Sequence, residues 1–542
     1  MFSESEWSRK SIGDVDVVFH EGLYHLFYLV LPTHDFIAHA ISDNALNWRR
    51  VDNALFIGDP GSWDDLMLWT MHVSPDPHQP GRWRMFYTGL SRRDQGRKQR
   101  IGLAVSDDLF HWRKAPVHWR DLRGRNDPEK VKQARARAAR SVANNIKAPF
   151  DAESSFPLEP DPRFYEASLD GERGWISFRD PFYHREGDRG WLVMAARVGS
   201  GPLIRRGCVG FMEEVEPNHF RALPPLHTPM LYDDIEVPNL FRLEEDYYLV
   251  GSLREDAKIR YWHTSDLSRP WRNYYDNVLL PRGNYAARVS RDDQGMLLWN
   301  FYTKEVNTRT HNLLPPPKRL RRAPDGQLCV GTFEGLGRRA RESLDVCCLH
   351  TLKQARRETF CRVGDGSLHL VSEAGFQGFV FDEVVDSFRM RCGLKLTGLG
   401  KCGILSRLDP ESHDGYYLAL DLMKGDAQLR AWRTGPVGSG EQMMRFEALQ
   451  EGAWFTEEPG NVRLQWIAFG SYLELSINGE IVLSLADQTF RSGLLGFYVE
   501  TAALEIRDLV VESLEPPTQA DEHLAKGGSL GSARRPIRPE RP

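Results

Sequence analysis

Residues 13–28 read GDVDVVFHEGLYHLFY. The stretch has the form of a β-hairpin: a strand, a His-Glu-Gly-Leu turn, and an apolar return strand. It opens on two carboxylates, Asp14 and Asp16, although acids are poor strand formers. The return strand YHLFYLVL has four counterparts in the first 330 residues: WRMFYTGL, GWLVMAARV, YYLVGSL and GMLLWNFYT. Each follows a turn and what reads as a shorter strand. Repetition of a small β unit at irregular spacing predicts a propeller, here with five blades.

A second repeat agrees with this. Ser42 to Trp48 (SDNALNW), Ser106 to Trp112 (SDDLFHW) and Ser265 to Trp271 (SDLSRPW) are each Ser-Asp, four residues, then Trp. Each follows an apolar strand. A Ser-Asp turn held by side-chain to backbone hydrogen bonds, followed by an anchoring Trp, is a suitable end for a third strand. The propeller is therefore expected over residues 1–330, with an insertion at about 119–165 between blades two and three. Asn126 to Lys147 within it reads as a basic helix with Pro128 in the first turn, either a lid or oligomer contact or a solvated insertion.

Leu313 to Gly326 (LLPPPKRLRRAPDG) reads as the exit from the propeller. A β-sandwich is expected over 331–515. Phe388, Met390, Cys392, Leu394 and Leu396 alternate toward one face, and Asn478-Gly479 suits a two-residue hairpin turn. The tail, 516–542, is rich in Pro, Gly, Ser and charge and reads as disordered. The fold class is thus all-β, a five-bladed propeller followed by a sandwich.

Bulk properties narrow the function. A formal net charge of −5, from 70 basic and 75 acidic residues, gives no reason to expect nucleic-acid or membrane partners. Seven cysteines without a Cys-x-x-Cys pair read as buried free thiols rather than a zinc cluster. No His spacing suggests a metal, and no cofactor is implied. MFSESEWSRK has no apolar core, so a cytoplasmic protein is expected.

The first strand of a propeller blade lines the central channel, so residues opening the blades converge. Those positions are Asp14 in blade one, Trp69 and Thr70 in blade two, and Arg179 and Asp180 in blade three. Glu236 opens blade four, and Tyr285 and Arg288 open blade five. Three carboxylates, Asp14, Asp180 and Glu236, would meet with an aromatic and an arginine. Glycoside hydrolysis needs a carboxyl pair, one group to protonate the leaving oxygen and another to attack the sugar or activate water. A third carboxylate can stabilise positive charge, and crowding raises a neighbour's pKa so that it keeps a proton. Trp69, Tyr285, Arg179, Asp16 and Arg288 are candidate substrate contacts. Asp14 and Asp16 also have a plainer reading as turn residues. Trp69 and Tyr285 have one as core aromatics.

At these residues the chain resembles glycoside hydrolase family 32, the invertase, inulinase and levanase group. Arg179 to Pro181 is similar to its Arg-Asp-Pro motif and Glu236 to Pro238 to its Glu-Cys-Pro motif. The resemblance implies that Asp14 is the nucleophile, Asp180 the transition-state stabiliser and Glu236 the general acid/base. Arg179 would assist at the sugar hydroxyls. It further implies retaining cleavage of terminal β-fructofuranosyl units from sucrose or fructans. The family's first motif, Trp-Met-Asn-Asp-Pro-Asn-Gly, is SIGDVDV here, and Val237 and Asn239 replace the Cys and the acid of the Glu motif. The register of Asp14 is closer to the Asp-Pro-Asp-Val pattern of family 43, which implies an inverting arabinofuranosidase or xylosidase. A carbohydrate-binding propeller without turnover and a fructosyl transferase are further alternatives. An oligo- or polysaccharide is the expected partner, and the sandwich is read as structural or as a homo-oligomer contact. Asp16, one pleat from Asp14, is the better placed of the two to bond a neighbouring blade.

Overall fold

A computed structural model describes residues 2, 11–115, 156–169, 173–303, 313–346, 349–352, 359–364, 366–434, 444–456 and 458–515. The helix expected at 126–147, the tail from 516, and Cys347 and Cys348 lie outside these residues. Five antiparallel sheets form the propeller. Blade one is Ser11–His20, Leu23–Leu31, Phe36–Ser42 and Arg49–Arg50, with Leu55–Phe56 also on its third strand. Blade two is Met67–Pro75, Trp83–Leu90, Arg100–Ser106 and Trp112–Lys114. Blade three is Phe178–Glu186, Arg189–Arg197, Gly207–Glu216 and His219–His227. Blade four is Glu236–Leu243, Asp246–Leu253, Lys258–Thr264 and Val278–Leu280. Blade five is Asn284–Asp292, Gly295–Tyr302, Lys318–Arg322 and Leu328–Thr332.

The inner strands are not the shorter members of their hairpins, as the sequence suggests. They run to eight to ten residues. The reason is a bulge near the start of each one. Pairing shifts between Ile12 and Val15, Trp69 and Met71, Arg179 and Phe182, Glu236 and Asn239, and Tyr285 and Arg288. A bulge interrupts the two-residue alternation and turns a side chain out of its regular direction, so half of each strand carries no recognisable period. In blades three to five the bulge holds a left-handed residue, Asp180 (φ 60°), Val237 (φ 49°) and Ala286 (φ 50°). For β-branched Val237 that conformation is strained.

Side-chain hydrogen bonds close the seams between blades, and at the bulges of blades three and four they also answer backbone N–H groups. Between blades one and two, Val73 N–H donates to Asp16 Oδ2 at 2.6 Å. Between two and three, Asp180 N–H donates to Thr88 Oγ1 at 3.1 Å. Between three and four, Val237 N–H donates to Asp180 Oδ2 at 3.0 Å. Between four and five, Asn239 Nδ2 donates to the Ala287 carbonyl (2.7 Å) and its Oδ1 accepts from Val289 N–H (3.2 Å). Between five and one, Tyr24 donates to Asp292 Oδ2 at 2.9 Å. Asn239 needs both an acceptor and a donor for this, which an acid at its position would not supply.

The Ser-Asp repeat is a cap of different composition from the one expected. Ser42 Oγ accepts from Asn44 N–H, and Asn44 Oδ1 accepts from Leu46 and Asn47 N–H. Ser106 and Asp108 repeat this. In blade four the pair is Thr264 and Asp266. The capping side chain lies two residues after the hydroxyl, so Asp43 and Asp107 face solvent while Trp48 and Trp271 are buried.

The C-terminal domain is one 13-stranded sheet folded on itself as a nearly closed sandwich. Its longest strand, Gly493–Leu514, pairs with Ala340–Ser343, Ser367–Val385, Phe388–Thr397 and Lys401–Leu408, and so passes between the layers. Phe388, Met390, Cys392, Leu394 and Leu396 all enter its core. The Tyr472–Ile477 and Glu480–Ala486 hairpin turns at Asn478 (φ 53°) and Gly479 (φ 88°), a turn with both central residues left-handed. This hairpin packs on the propeller: Tyr472 and Ala486 join Trp299, Tyr302 and Phe333 in one apolar cluster. Beneath it two opposite charges, Lys318 and Glu474, are buried within electrostatic reach of each other, each hydrogen-bonded to other groups. Lys318 of blade five donates to Asn300 Oδ1 and the Pro316 carbonyl (both 3.1 Å), and Glu474 accepts from the Thr332 and Tyr472 hydroxyls (both 2.5 Å). The five described cysteines are free, and Cys208, Cys392 and Cys402 are buried.

Candidate active site

The inner strands begin at one mouth of the channel, and their bulges aim Asp14, Asp180 and Glu236 together. Thr70 donates its hydroxyl to Asp14 Oδ2. Tyr285 donates to Glu236 Oε2, and Arg179 Nη2 donates to Glu236 Oε1 at 2.7 Å. Arg179 Nε also stands 3.5 Å from Asp180 Oδ2. Four blades thus contribute to one cluster through Asp14, Thr70, Asp180 with Arg179, and Glu236. Tyr285 adds the fifth.

Burial, then the negative charge of Asp180, pushes the Asp14 carboxyl up to about 7; Glu236 adds to this, while the Thr70 hydrogen bond and Arg288 oppose it. Burial and two acidic neighbours hold a proton in the site near neutral pH. Burial works against the charge of Arg179, yet Asp234, Asp180 and Glu236 together hold it above the ordinary arginine value. Burial and the charge of Glu236 raise the Tyr285 phenol, so it remains a hydroxyl. A hydroxyl both donates and accepts; Tyr285 can therefore partner Glu236 whether or not that carboxyl is protonated.

Two residues expected at the substrate have other duties. Arg288 is fully buried. It donates to the carbonyls of Pro238 (3.1 Å), Pro181 (2.8 Å) and Met71 (3.3 Å), pinning three inner strands beneath the pocket. A guanidinium spent on backbone carbonyls has no fork left for a sugar. Asp16 is likewise buried, with His72 Nδ1 at 3.4 Å beside its bond to Val73. It is the seam residue, as its place one pleat beyond Asp14 suggests. Trp69 is half-buried in the wall between blades one and two, its ring centroid 6.0 Å from that of His34.

Other members carry no motif. Arg179 is held by Ser177 Oγ (2.6 Å) and Asp234 Oδ2 (3.2 Å), and Asp234 also accepts from Arg197 Nη2 (2.7 Å). Asp234 reads in sequence as part of an exposed acidic run, but it is buried. The only signal for it is its place just ahead of a blade-opening strand. Thr70→Val is expected to move the acid limb of kcat/KM to higher pH. Removal of the hydroxyl takes away a bond that lowers the Asp14 pKa, and a pH–rate profile of the free enzyme reads that group. Among the described residues no group of His, Cys, Asp and Glu is arranged to hold a metal.

The family model for the glycosyl hydrolases family 32 N-terminal domain matches residues 14–135, which bears out the resemblance over that segment. A β-1,2-mannobiose phosphorylase of Thermoanaerobacter sp. (strain X514) is 26% identical over 125 residues, 20% of this chain and 40% of that protein's length. Similar solved structures include a Bombyx mori GH32 β-fructofuranosidase (TM-score 0.58, 16% identity, 93% of this chain and 92% of that one). Fructan 1-exohydrolase IIa from Cichorium intybus has a TM-score of 0.59 at 13% identity, over 95% of this chain and 97% of its own. Exo-inulinase from Aspergillus awamori gives 0.59 at 13%, over 95% and 98%. At these identities the shared property is the fold, a propeller followed by a sandwich.

Proposed function

We propose that this protein is a glycosidase that removes terminal β-fructofuranosyl units from sucrose or a fructan with retention. The observation that carries this reading is the convergence of Asp14, Asp180 and Glu236 from three blades on one pocket, within the fold of the family 32 hydrolases. In the first step the Asp14 carboxylate attacks the anomeric carbon while Glu236 gives its proton to the departing glycosidic oxygen. The products are a fructosyl ester of Asp14 and the free leaving sugar. Glu236, now a base, takes a proton from water, whose oxygen attacks the same carbon and releases Asp14. Asp180, fixed by Val237 N–H, accepts from ring hydroxyls and faces the positive charge that develops on the sugar.

The productive form has the proton on Glu236 and the charge on Asp14. With Asp14 at about 7, the nucleophile is charged in a growing fraction of molecules as pH rises. The expected profile of kcat/KM therefore climbs through about pH 7, a limb assigned to the pair rather than to one carboxyl. Hydrolysis of sucrose, inulin, levan and nitrophenyl arabinofuranoside, with product anomers followed by NMR, tests the reading. Release of β-fructose from the fructosides is the expected result. Inversion, or cleavage of the arabinoside alone, overturns it.

A further inference from the structure

Beside the Arg179–Glu236 pair stands an aromatic ring that the chemistry above leaves unused. Trp175 lies three residues ahead of the inner strand of blade three, at the channel mouth, and is half-buried. The Arg197 guanidinium sits 3.9 Å from its ring centroid and that of Arg179 5.2 Å. Arg197 is fully buried. The indole therefore roofs the network of Arg179, Asp234 and Arg197, and it is one residue removed from Glu236, which Arg179 holds at 2.7 Å.

The segment that carries Trp175 is fixed from several sides. Arg173 donates to the Leu203 carbonyl and pairs with Asp233 at 2.6 Å. Ile176 N–H donates to the Arg97 carbonyl at 2.7 Å. Ser177 Oγ donates to Asp234 Oδ1 at 2.9 Å. A large aromatic surface held in place ahead of binding loses little freedom when a ligand covers it. Two guanidinia lie against its ring.

We propose that Trp175 is the platform on which the leaving-group sugar stacks. This rests on the glycosidase reading, in which Glu236 protonates the glycosidic oxygen and the departing sugar consequently lies on the Glu236 side of the pocket. There the apolar C–H face of a pyranose or furanose meets the indole, as aromatic walls receive ligands in other pockets. Trp175 is then a specificity-determining residue: it selects substrates whose leaving group is a sugar over those that release a small alcohol.

The test pairs a disaccharide, sucrose, with methyl β-fructofuranoside, whose leaving group is too small to stack. For Trp175→Ala, kcat/KM on sucrose is expected to fall about tenfold or more, mostly through KM, with the methyl fructoside within about twofold. Trp175→Phe should restore most of the loss. An equal fall on both substrates, or none on sucrose, overturns the proposal. A second measurement does not depend on turnover. Sucrose binding to Glu236→Gln protein, by calorimetry, is expected to weaken about tenfold when Trp175→Ala is added. An unchanged Kd in a protein whose wild type hydrolyses fructosides overturns the platform and leaves the glycosidase reading standing. Absence of both hydrolysis and sucrose binding overturns the two together.

Discussion

Asp14→Asn is expected to abolish hydrolysis of every fructoside, by about 10⁴-fold or more, because an amide cannot form the ester intermediate. The substitution keeps shape and volume, so the protein should fold, and removing one buried carboxyl from a crowded set relieves repulsion. Stability is therefore expected to hold or rise. Asp16→Ala, two residues along the same strand, should do the reverse. It leaves Val73 N–H without its acceptor at a blade seam, which destabilises by about 1–3 kcal/mol, while the chemical step proceeds. Glu236→Gln is expected to lose about 10²–10⁴-fold on sucrose and less on an aryl fructoside, whose leaving group needs no proton. Steady-state kinetics on both substrates with denaturant unfolding of each variant separates the three roles. If Asp14→Asn retains even a few per cent of turnover, Asp14 is not the nucleophile.

The second large effect lies far from the pocket, at the interface of propeller and sandwich. Glu474→Gln leaves Lys318 buried without its counter-charge. Breaking a buried pair from one side typically destabilises by about 3–5 kcal/mol. Burial already lowers Lys318 to about 7 against the pull of Glu474, and burial likewise raises Glu474. Without Glu474 the Lys318 pKa falls further. Between that value and the unfolded lysine value the unfolded chain binds the extra proton, so stability rises with pH. The loss in Glu474→Gln should therefore be greater at pH 6 than at pH 9 by scanning calorimetry. A double replacement, Lys318→Met with Glu474→Leu, removes both charges and is expected to recover most of the loss. If the double variant is as unstable as the single one, the hydroxyls of Thr332 and Tyr472 matter more than the charges.

The blade order and the three pocket carboxylates were legible because they depend on one rule, that each inner strand begins at the channel mouth. Arg179, Asp180 and Glu236 also stand in motifs whose proline fixes the local backbone. What could not be read depends on contacts distant in sequence. Arg288 has the composition of a sugar-binding arginine, and only its burial against three carbonyls makes it a pin. Asp234 looks like one more acid in a polar loop until Arg179 and Arg197 are folded against it. The Ser-Asp repeat gave the right strand ends, with Asp266 the capping acid in blade four but Asn44 and Asp108 in place of Asp43 and Asp107 in blades one and two, because Ser-Asp-Asn, Ser-Asp-Asp and Thr-Ser-Asp all place a capping acid or amide two positions after a hydroxyl. The inner strands looked short because a bulge erases periodicity where the functional side chains stand. Lys318 and Glu474 lie more than 150 positions apart, and neither has a local pattern that distinguishes it from a surface charge.

One contact at the third seam links pocket and wall. The carboxylate of Asp180 faces the pocket and also grips Val237 N–H, in the strained residue next to Glu236. Substitution of Asp180 therefore removes the acceptor that holds the start of the strand carrying Glu236. The seam between blades three and four and the pocket share one carboxylate. A carboxylate that faces the pocket is in this way also a bracket of the pocket's own wall.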